Sequence, residues 1–192
     1  MKAKNIFLSV LAAGCLSVAC LAEAASVALL PLIDKSDYEN KEELTATYNA
    51  AAVRAINNVE GFTLVDSDEL TAVLDKNLPE GTLPTEQALK NIAAQTGVDV
   101  IFAMQLDNLS SDMTMGKIED YLYLDLRGRV VYYNALTGKF KSTSVRDDNK
   151  VPMATMARSN FEIESFRDNV RRQMNKALGN KKFKADPVKF GW

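Results

Sequence analysis

The clearest pattern of apolar and polar positions lies in the middle of the chain, where a helical spacing gives way to a continuous apolar run. Leu89, Ile92 and Ala93 fall on one helical face, at the i, i+3, i+4 spacing. Thr85 precedes this face as an N-cap residue, and Gly97 follows it where a C-cap favours a left-handed residue. The pattern predicts a helix that begins after Thr85 and stops at Gly97.

The segment after this helix, residues 98–106 (VDVIFAMQL), is almost continuously apolar. A strand with one face in water would alternate between apolar and polar residues, and this one barely does. We therefore predict a central strand that is covered on both faces. Only Gly97 separates helix from strand, and so tight a link favours a layered α/β domain.

Upstream of this segment, the pattern predicts strands and helices in alternation. Residues 27–33 (VALLPLI) form a buried first strand, in which Pro31 marks a sheet edge or a strand end. Residues 42–59 form a helix with an alanine-rich apolar face, and residues 62–65 form a second strand. A short helix follows, with polar N-cap candidates Asp66, Ser67 and Asp68. Its inward face consists of Leu70, Val73 and Leu74.

Downstream, a long strand alternates almost cleanly, so we predict one core face and one wet face. The core face contains Leu122, Leu124, Leu126, Gly128, Val130 and Tyr132. The wet face contains Tyr121, Tyr123, Asp125, Arg127, Arg129 and Tyr133, with Val131 as its apolar exception. The polar residues 108–120 before this strand read as a flexible connection or a ragged strand end.

The C-terminal part of the pattern predicts a hairpin and a final helix. Residues 134–138 (NALTG) form a turn, and the lysine-rich residues 139–146 form a partner strand at the sheet edge. Residues 151–158 form a loop, and Ser159 or Asn160 caps the last helix. The predicted fold class is α/β, layered as in α+β domains: a mixed sheet of about five strands flanked by helices, with this C-terminal antiparallel hairpin and helix.

The N-terminal residues 1–24 have the composition of a cleaved secretory signal peptide. Lys2 and Lys4 precede an uncharged, mostly apolar run, and the segment ends in Ala22-Glu23-Ala24. A retained membrane anchor is the alternative. The remaining chain divides into a single domain at 25–179 and a basic, aromatic tail at 180–192.

Net charge and residue composition argue against several classes of binding and catalytic chemistry. The formal net charge of −2 argues against general nucleic-acid affinity. The chain has no histidine, and both cysteines, Cys15 and Cys20, lie inside the predicted signal peptide, so the exported form would lack thiols and the commonest zinc ligands. Lipidation at Cys20 stays open as an alternative to cleavage after Ala24, although the preceding leucine is one position too early for the usual lipoprotein pattern.

Three groups of residues are candidates for interaction, each with a plainer interpretation beside it. Asp34 and Asp37 follow the first strand, where they would either bind a cation or belong to a solvated acidic loop. The second group would either stack on sugars or bases, or form an ordinary wet sheet face: Tyr121, Tyr123, Arg127, Arg129 and Tyr133. Phe190 and Trp192 in the tail would dock on a partner or anionic lipid, or fray. We expect no catalytic residue, cofactor or metal ligand.

The chain resembles the α/β domain of the curli-secretion protein CsgG in four sequence segments, at residues 27–32, 61–74, 96–106 and 128–140. That fold is shared by the TolB N-terminal domain and by LpoB-type activators of cell-wall synthases. Relatives tend to carry glycine within the strand where this chain has Met104 and Gln105. The chain also lacks a second pair of long lipid-facing hairpins, so the resemblance implies an envelope role without pore formation.

These observations favour an exported, non-enzymatic interaction or accessory domain of the cell envelope. Its partner would be an envelope protein or a cell-wall component, and not nucleic acid. Membrane association would require a lipid on Cys20 or contact through the tail. Two alternatives stay open: a periplasmic protein that binds a small ligand or cation, and a carboxylate-based enzyme acting on glycans through a pair such as Asp34 and Asp66.

Overall fold

The computed structural model describes residues 24–65, 70, 73–74, 78, 81–153 and 157–180. The strands are β1 (Ala25–Leu29), β2 (Ile33–Asp34), β3 (Phe62–Leu64), β4 (Val100–Thr114), β5 (Tyr121–Asn134), β6 (Lys139–Asp147) and β7 (Lys150–Pro152). The helices are α1 (Lys41–Asn57), α2 (Glu86–Thr96) and α3 (Arg158–Ala177). No helix within these ranges combines the length and apolarity that crossing a bilayer requires.

These strands form one mixed sheet in the order β3-β1-β4-β5-β6, with β2 beside β4 and β7 beside β5. β1 runs parallel to both β3 and β4, whereas β4, β5 and β6 form an antiparallel meander. The predicted fold class, a mixed sheet flanked by helices with a C-terminal hairpin and helix, is confirmed. β6 lies at the sheet edge, as its lysines predict.

Helices cover both faces of the sheet around the first half of β4. On one face, α1 and α3 enclose a core that contains Phe102 and Met104. On the other, α2 packs against Ile101 and Ala103, together with Leu70. All seven residues from Val100 to Leu106 are buried, so the predicted central strand is confirmed.

The predicted boundaries of α2 are also confirmed. The Thr85 hydroxyl accepts a hydrogen bond from the Ala88 N–H, and Gly97 adopts a left-handed φ of 72°. This agreement follows from local chemistry, because caps act within one helical turn.

Three predicted boundaries are wrong. The first strand is interrupted between Leu29 and Ile33, because Pro31 has no N–H to donate to a neighbouring strand. The predicted loop at 151–158 contains the end of β7, which pairs with β5. The last helix begins at Arg158 and has no side-chain cap, so neither Ser159 nor Asn160 caps it.

The stretch 108–120 is more ordered than its polarity indicates. β4 continues to Thr114 and pairs with β5 along its whole length, with an irregularity between Leu106 and Asn108. Only residues 115–120 connect the two strands. The predicted caps Asp66, Ser67 and Asp68 lie outside the described residues, whereas Leu70, Val73 and Leu74 are helical and contribute to the core on the α2 side.

Candidate functional site

The second half of the β4–β5 hairpin leaves one side of the sheet uncovered by any described helix. We call this surface the open sheet face; it comprises Asn108, Ser110, Asp112, Tyr121, Tyr123, Asp125, Arg127, Arg129, Ser144, Arg146 and Lys150. These side chains are exposed or half-buried. They share one side of the sheet because strand side chains alternate and the strands pair in register. Most side chains of β5 that were predicted to face solvent are therefore exposed or half-buried.

The open sheet face combines aromatic rings with cations. The Lys150 ammonium lies 5.0 Å from the centre of the Tyr121 ring and 5.9 Å from that of Tyr123, within cation–π distance. The Arg127 Nε lies 2.8 Å from Asp125 Oδ1. The Asn108 amide donates to the carboxylate of Asp125, at 3.0 Å. These contacts link the rings, cations and carboxylates of the open sheet face to one another.

Four of the five residues predicted for this face lie on the open sheet face, and the fifth, Tyr133, does not. Tyr133 is ten residues from Tyr123 along β5, or ~33 Å at the usual rise of a strand. It lies opposite Phe140 and packs on the α2-side core. Tyr133 therefore stabilises the fold, whereas Tyr121, Tyr123 and Arg127 lie opposite the second half of β4 and Arg129, opposite Gln105, lies at the boundary of this surface.

Asp34 is engaged in local structure at the end of β2. Its Oδ1 accepts hydrogen bonds from the Ser36 N–H at 2.9 Å and from the Ser36 hydroxyl at 2.6 Å, and its Oδ2 lies 2.6 Å from Lys41 Nζ. Burial would raise the pKa of the Asp34 carboxyl, but the hydrogen bonds from Lys41 and Ser36 outweigh it and lower that pKa below its ordinary value. Asp34 thus holds the loop against the start of α1.

A half-open groove of about 690 Å³ lies where this loop, β4 and the start of α3 meet. We call it the acidic groove; its lining is Asp37, Tyr38, Glu39, Asn40, Glu43, Leu109, Ser110, Arg158 and Glu162. The Tyr38 hydroxyl donates to Glu43 Oε2 at 3.4 Å. Burial and the charges of Glu43, Glu162 and Glu39 raise the pKa of Tyr38 to about 12. Of the predicted candidates, Asp37 faces this groove.

A buried polar cluster at one end of the groove has no counterpart in the sequence prediction. The Ser111 hydroxyl donates to Glu162 Oε1 at 2.7 Å and accepts from Arg158 Nε at 3.2 Å. The Arg158 guanidinium also donates to the Ser111 carbonyl. Arg158 and Glu162 show a visible i, i+4 spacing, but Ser111 lies 47 residues before Arg158, so only the folded chain reveals the cluster.

Some predicted site residues fall beyond the part of the chain that the structure describes, namely Asp66, Phe190 and Trp192. Within the described part, no group of three or more cysteine, aspartate or glutamate side chains is placed to hold a metal ion. Two surfaces of the described residues are therefore candidates for the functional site: the open sheet face and the acidic groove.

Comparisons with known proteins find only solved structures of low sequence identity. No protein-family model matches the chain, and no curated protein matches it. The hypothetical protein CT253 from Chlamydia trachomatis is 14% identical over 81% of this chain and 99% of that chain, with a TM-score of 0.48. Lipoprotein GNA1162 from Neisseria meningitidis is 12% identical over 79% and 99%, with a TM-score of 0.42.

The LpoB C-terminal domain from Salmonella enterica is 16% identical over 68% of this chain and 87% of that chain, with a TM-score of 0.39. LpoB is thus among the structures that overlap with this one, while the resemblance to CsgG and TolB stays a prediction. With TM-scores below 0.5, these structures overlap with this one only in part.

Proposed function

We propose that this chain is a non-enzymatic accessory domain of the cell envelope that binds another envelope component through its open sheet face. The observation that carries the proposal is the uncovered end of the β4–β5 hairpin. There Tyr121, Tyr123, Arg127 and Arg129 lie along one side of the sheet, exposed or half-buried. The export-type composition of residues 1–24 supports the envelope location.

The chemistry of this face suits a macromolecular partner. Exposed tyrosines offer large contact areas at low entropic cost, and arginines form directed hydrogen bonds; both are enriched at protein interfaces. Arg127 and Arg146 remain 61% and 71% exposed, so a partner could reach both. The excess of cations over carboxylates here favours an acidic partner surface.

The test is site-specific photo-crosslinking in intact cells of the native host. A photoreactive phenylalanine analogue replaces Tyr123 on the open sheet face, and in a matched control it replaces the exposed Thr45 on α1. We expect a discrete crosslinked species from position 123 and none from position 45. Adding Arg129→Glu should reduce the crosslinked fraction at least fivefold.

Two outcomes would contradict the proposal. Crosslinking from position 45 without crosslinking from position 123 would place the interface elsewhere. Turnover of cell-wall glycans by the purified protein, abolished by Asp34→Asn, would favour the carboxylate-based enzyme instead.

A further inference from the structure

The outer edge of the sheet, at β6, has no described strand beside it. β6 ends the strand order, with β5 on its inner side, and no strand of the described residues pairs with its outer side. Its nine residues keep a continuous register with β5. β3, at the opposite end of the order, has only three residues. β6 is therefore the long edge of the sheet, and such an edge is a template for pairing with another segment.

The register with β5 shows which backbone groups of β6 point outward. The Leu124 N–H donates at 2.8 Å to the carbonyl of Asn149, which lies between β6 and β7, on the side of β5 away from β4. Because a strand repeats every two residues, the other even-numbered residues of β5 also point toward β6, and the odd-numbered residues of β6 lie opposite them. The even-numbered residues of β6 therefore point their N–H and carbonyl groups outward: Phe140, Ser142, Ser144 and Arg146.

These outward groups are accessible and unoccupied within the described part of the chain. Ser142, Ser144 and Arg146 are exposed, and Phe140 is half-buried. No hydrogen bond between described residues engages their backbone groups on the outer side. An incoming strand could therefore reach the edge and bond to it along most of its length.

The sequence of β6 contains only one of the usual devices that prevent unwanted pairing at a sheet edge. These devices include short strands, proline, bulges and charged side chains. β6 is long, regular and free of proline, but it carries the exposed cations Lys139, Lys141 and Arg146. Its one carboxylate, Asp147, is buried and accepts a hydrogen bond from Arg172. Protection of this edge therefore depends on positive charge.

Positive charge discriminates between incoming strands. A second copy of β6 would place two basic edges side by side, which is unfavourable. An acidic strand would instead bring carboxylates next to Lys139 and Lys141, on alternate positions. Asp148, just beyond β6, lies 3.8 Å from Arg146 and ends the basic stretch. The partner whose charge fits this edge is thus an acidic, extended segment.

We propose that the outer edge of β6 accepts an extended, alternately acidic segment of a partner protein as an added strand. This is the β-augmentation mode of peptide recognition, in which backbone hydrogen bonds supply affinity and alternate side chains supply specificity. Lys139 and Lys141 lie on the opposite side of the sheet from the open sheet face, because Lys141 is opposite the core residue Tyr132. The inference therefore goes beyond the proposed function, and either binding mode can fail while the other stands.

The experiment titrates synthetic hexapeptides into the isotope-labelled protein and follows its backbone amides by NMR. The probe Glu-Val-Glu-Val-Glu-Val should bind and slow hydrogen exchange at the outward amides of β6, whereas the intervening amides, already bonded to β5, should change little. Lys-Val-Lys-Val-Lys-Val tests the charge requirement. The probe peptide N-methylated at every peptide bond keeps its charges but has no backbone donors. Both control peptides should bind at least tenfold more weakly.

Two pairs of variants locate the contact. Ser144→Pro removes an outward N–H without touching the β5 ladder and should weaken binding at least tenfold, whereas Ser144→Ala should bind as the parent does. Lys141→Glu, on β6, should weaken binding at least fivefold. Lys117→Glu makes the same charge change in the exposed connection between β4 and β5 and should have less than a twofold effect. Unchanged β4 amide signals show that each variant is folded.

The proposal is overturned if the N-methylated peptide binds as tightly as the probe, because charge attraction would then suffice. It is also overturned if Ser144→Pro and Ser144→Ala bind alike, if exchange slows only at Tyr123 and Arg129, or if the probe does not bind at millimolar concentration. A dimer that protects the outward amides of β6 without any peptide would make a second copy the occupant instead. Loss of peptide binding would leave the photo-crosslinks from position 123 unaffected.

Discussion

The two halves of β4 share one strand and one hairpin partner, yet they have different environments. The first half, Val100 to Leu106, is buried throughout, with strands on both edges and helices on both faces. The second half, Asp107 to Thr114, keeps β5 on one edge, is covered by a helix of the described residues on only one face, and exposes Asp112. The first half stabilises the fold, whereas the second half presents surface.

The junction between the halves is marked on both strands. β4 has one unpaired residue, Asp107, at the irregularity between Leu106 and Asn108. Opposite it, Gly128 approaches the β4 backbone so closely that an added Cβ would lie 2.4 Å from the Gln105 carbonyl oxygen. A bulge of this kind disrupts the ladder locally and increases the twist of the strand. The difference between the halves therefore begins at a specific backbone feature.

The largest effect is expected from truncating the first half. Phe102→Ala should cost ~3–5 kcal/mol and Ile101→Ala ~2–5 kcal/mol of unfolding free energy, because each side chain is fully buried in a different core. Urea unfolding of both variants is the measurement. A loss below ~1 kcal/mol for either would mean that one face of this half is not truly covered.

The junction gives the next largest effect. Gly128→Ala should cost ~2–3 kcal/mol, because its Cβ would collide with the Gln105 backbone and force the strands apart. Ser144→Ala, on the exposed side of neighbouring β6, serves as the control and should change stability by less than ~0.5 kcal/mol. Equal stability of the two variants would show that the close approach is not required.

The buried cluster beside the second half comes third. Glu162→Ala should cost ~1–2 kcal/mol, because the Ser111 hydroxyl would lose its buried acceptor. Glu164→Ala removes a more exposed carboxylate from the same helix and should cost less than ~0.5 kcal/mol. Thermal unfolding compares them, and the reverse ranking would contradict the cluster's role.

Asp34 should show a pH-dependent effect. Its carboxyl has a lowered pKa in the folded chain, so its charge stabilises the fold above the ordinary value of 3.8 and stops doing so as pH falls through the folded value. Asp34→Asn should therefore cost ~1 kcal/mol at pH 7, and the deficit should shrink below pH 3.8. Urea titrations across that range, with exposed Asp37→Asn as the control, would reveal a constant deficit if the charge were irrelevant.

The smallest stability effect is expected on the open sheet face. Tyr123→Ala should change unfolding free energy by less than ~1 kcal/mol, because its side chain is already 38% exposed. The same substitution at buried Tyr132, in the same strand, should cost ~3 kcal/mol or more. Paired denaturant unfolding measures the contrast, and similar losses would indicate that the open sheet face is covered.

The sequence predicts those features that depend on neighbours within a few residues. The Thr85 cap, the Gly97 stop and the alternation along β5 all follow from local chemistry, and all are present. For residues 108–120 the sequence left a connection and a ragged strand end open, because a strand with one exposed face has few apolar residues by which its length could be recognised. Leu109 and buried Ser111 show the alternation only after the pairing is known.

Of the two candidate surfaces, one could be predicted from the sequence and the other could not. The open sheet face could be predicted, since Tyr121 through Arg129 lie on a single strand whose alternation is visible. The acidic groove could not, because it joins a loop at Asp37, a strand at Leu109 and a helix at Arg158. Nothing in their spacing indicates that these three segments meet.

The position of β1 between β3 and β4 affects the order in which the sheet can form. Among the described residues, β1 pairs with strands that come later in the chain, Phe62–Leu64 and the start of β4 at Val100. β4, β5 and β6, by contrast, are joined by short connections and can pair as soon as they are made. β1 therefore pairs across 37 residues with β3 (Ala25 with Phe62) and across 73 residues with β4 (Val27 with Val100), so we expect the meander to fold first and β1 to join it last.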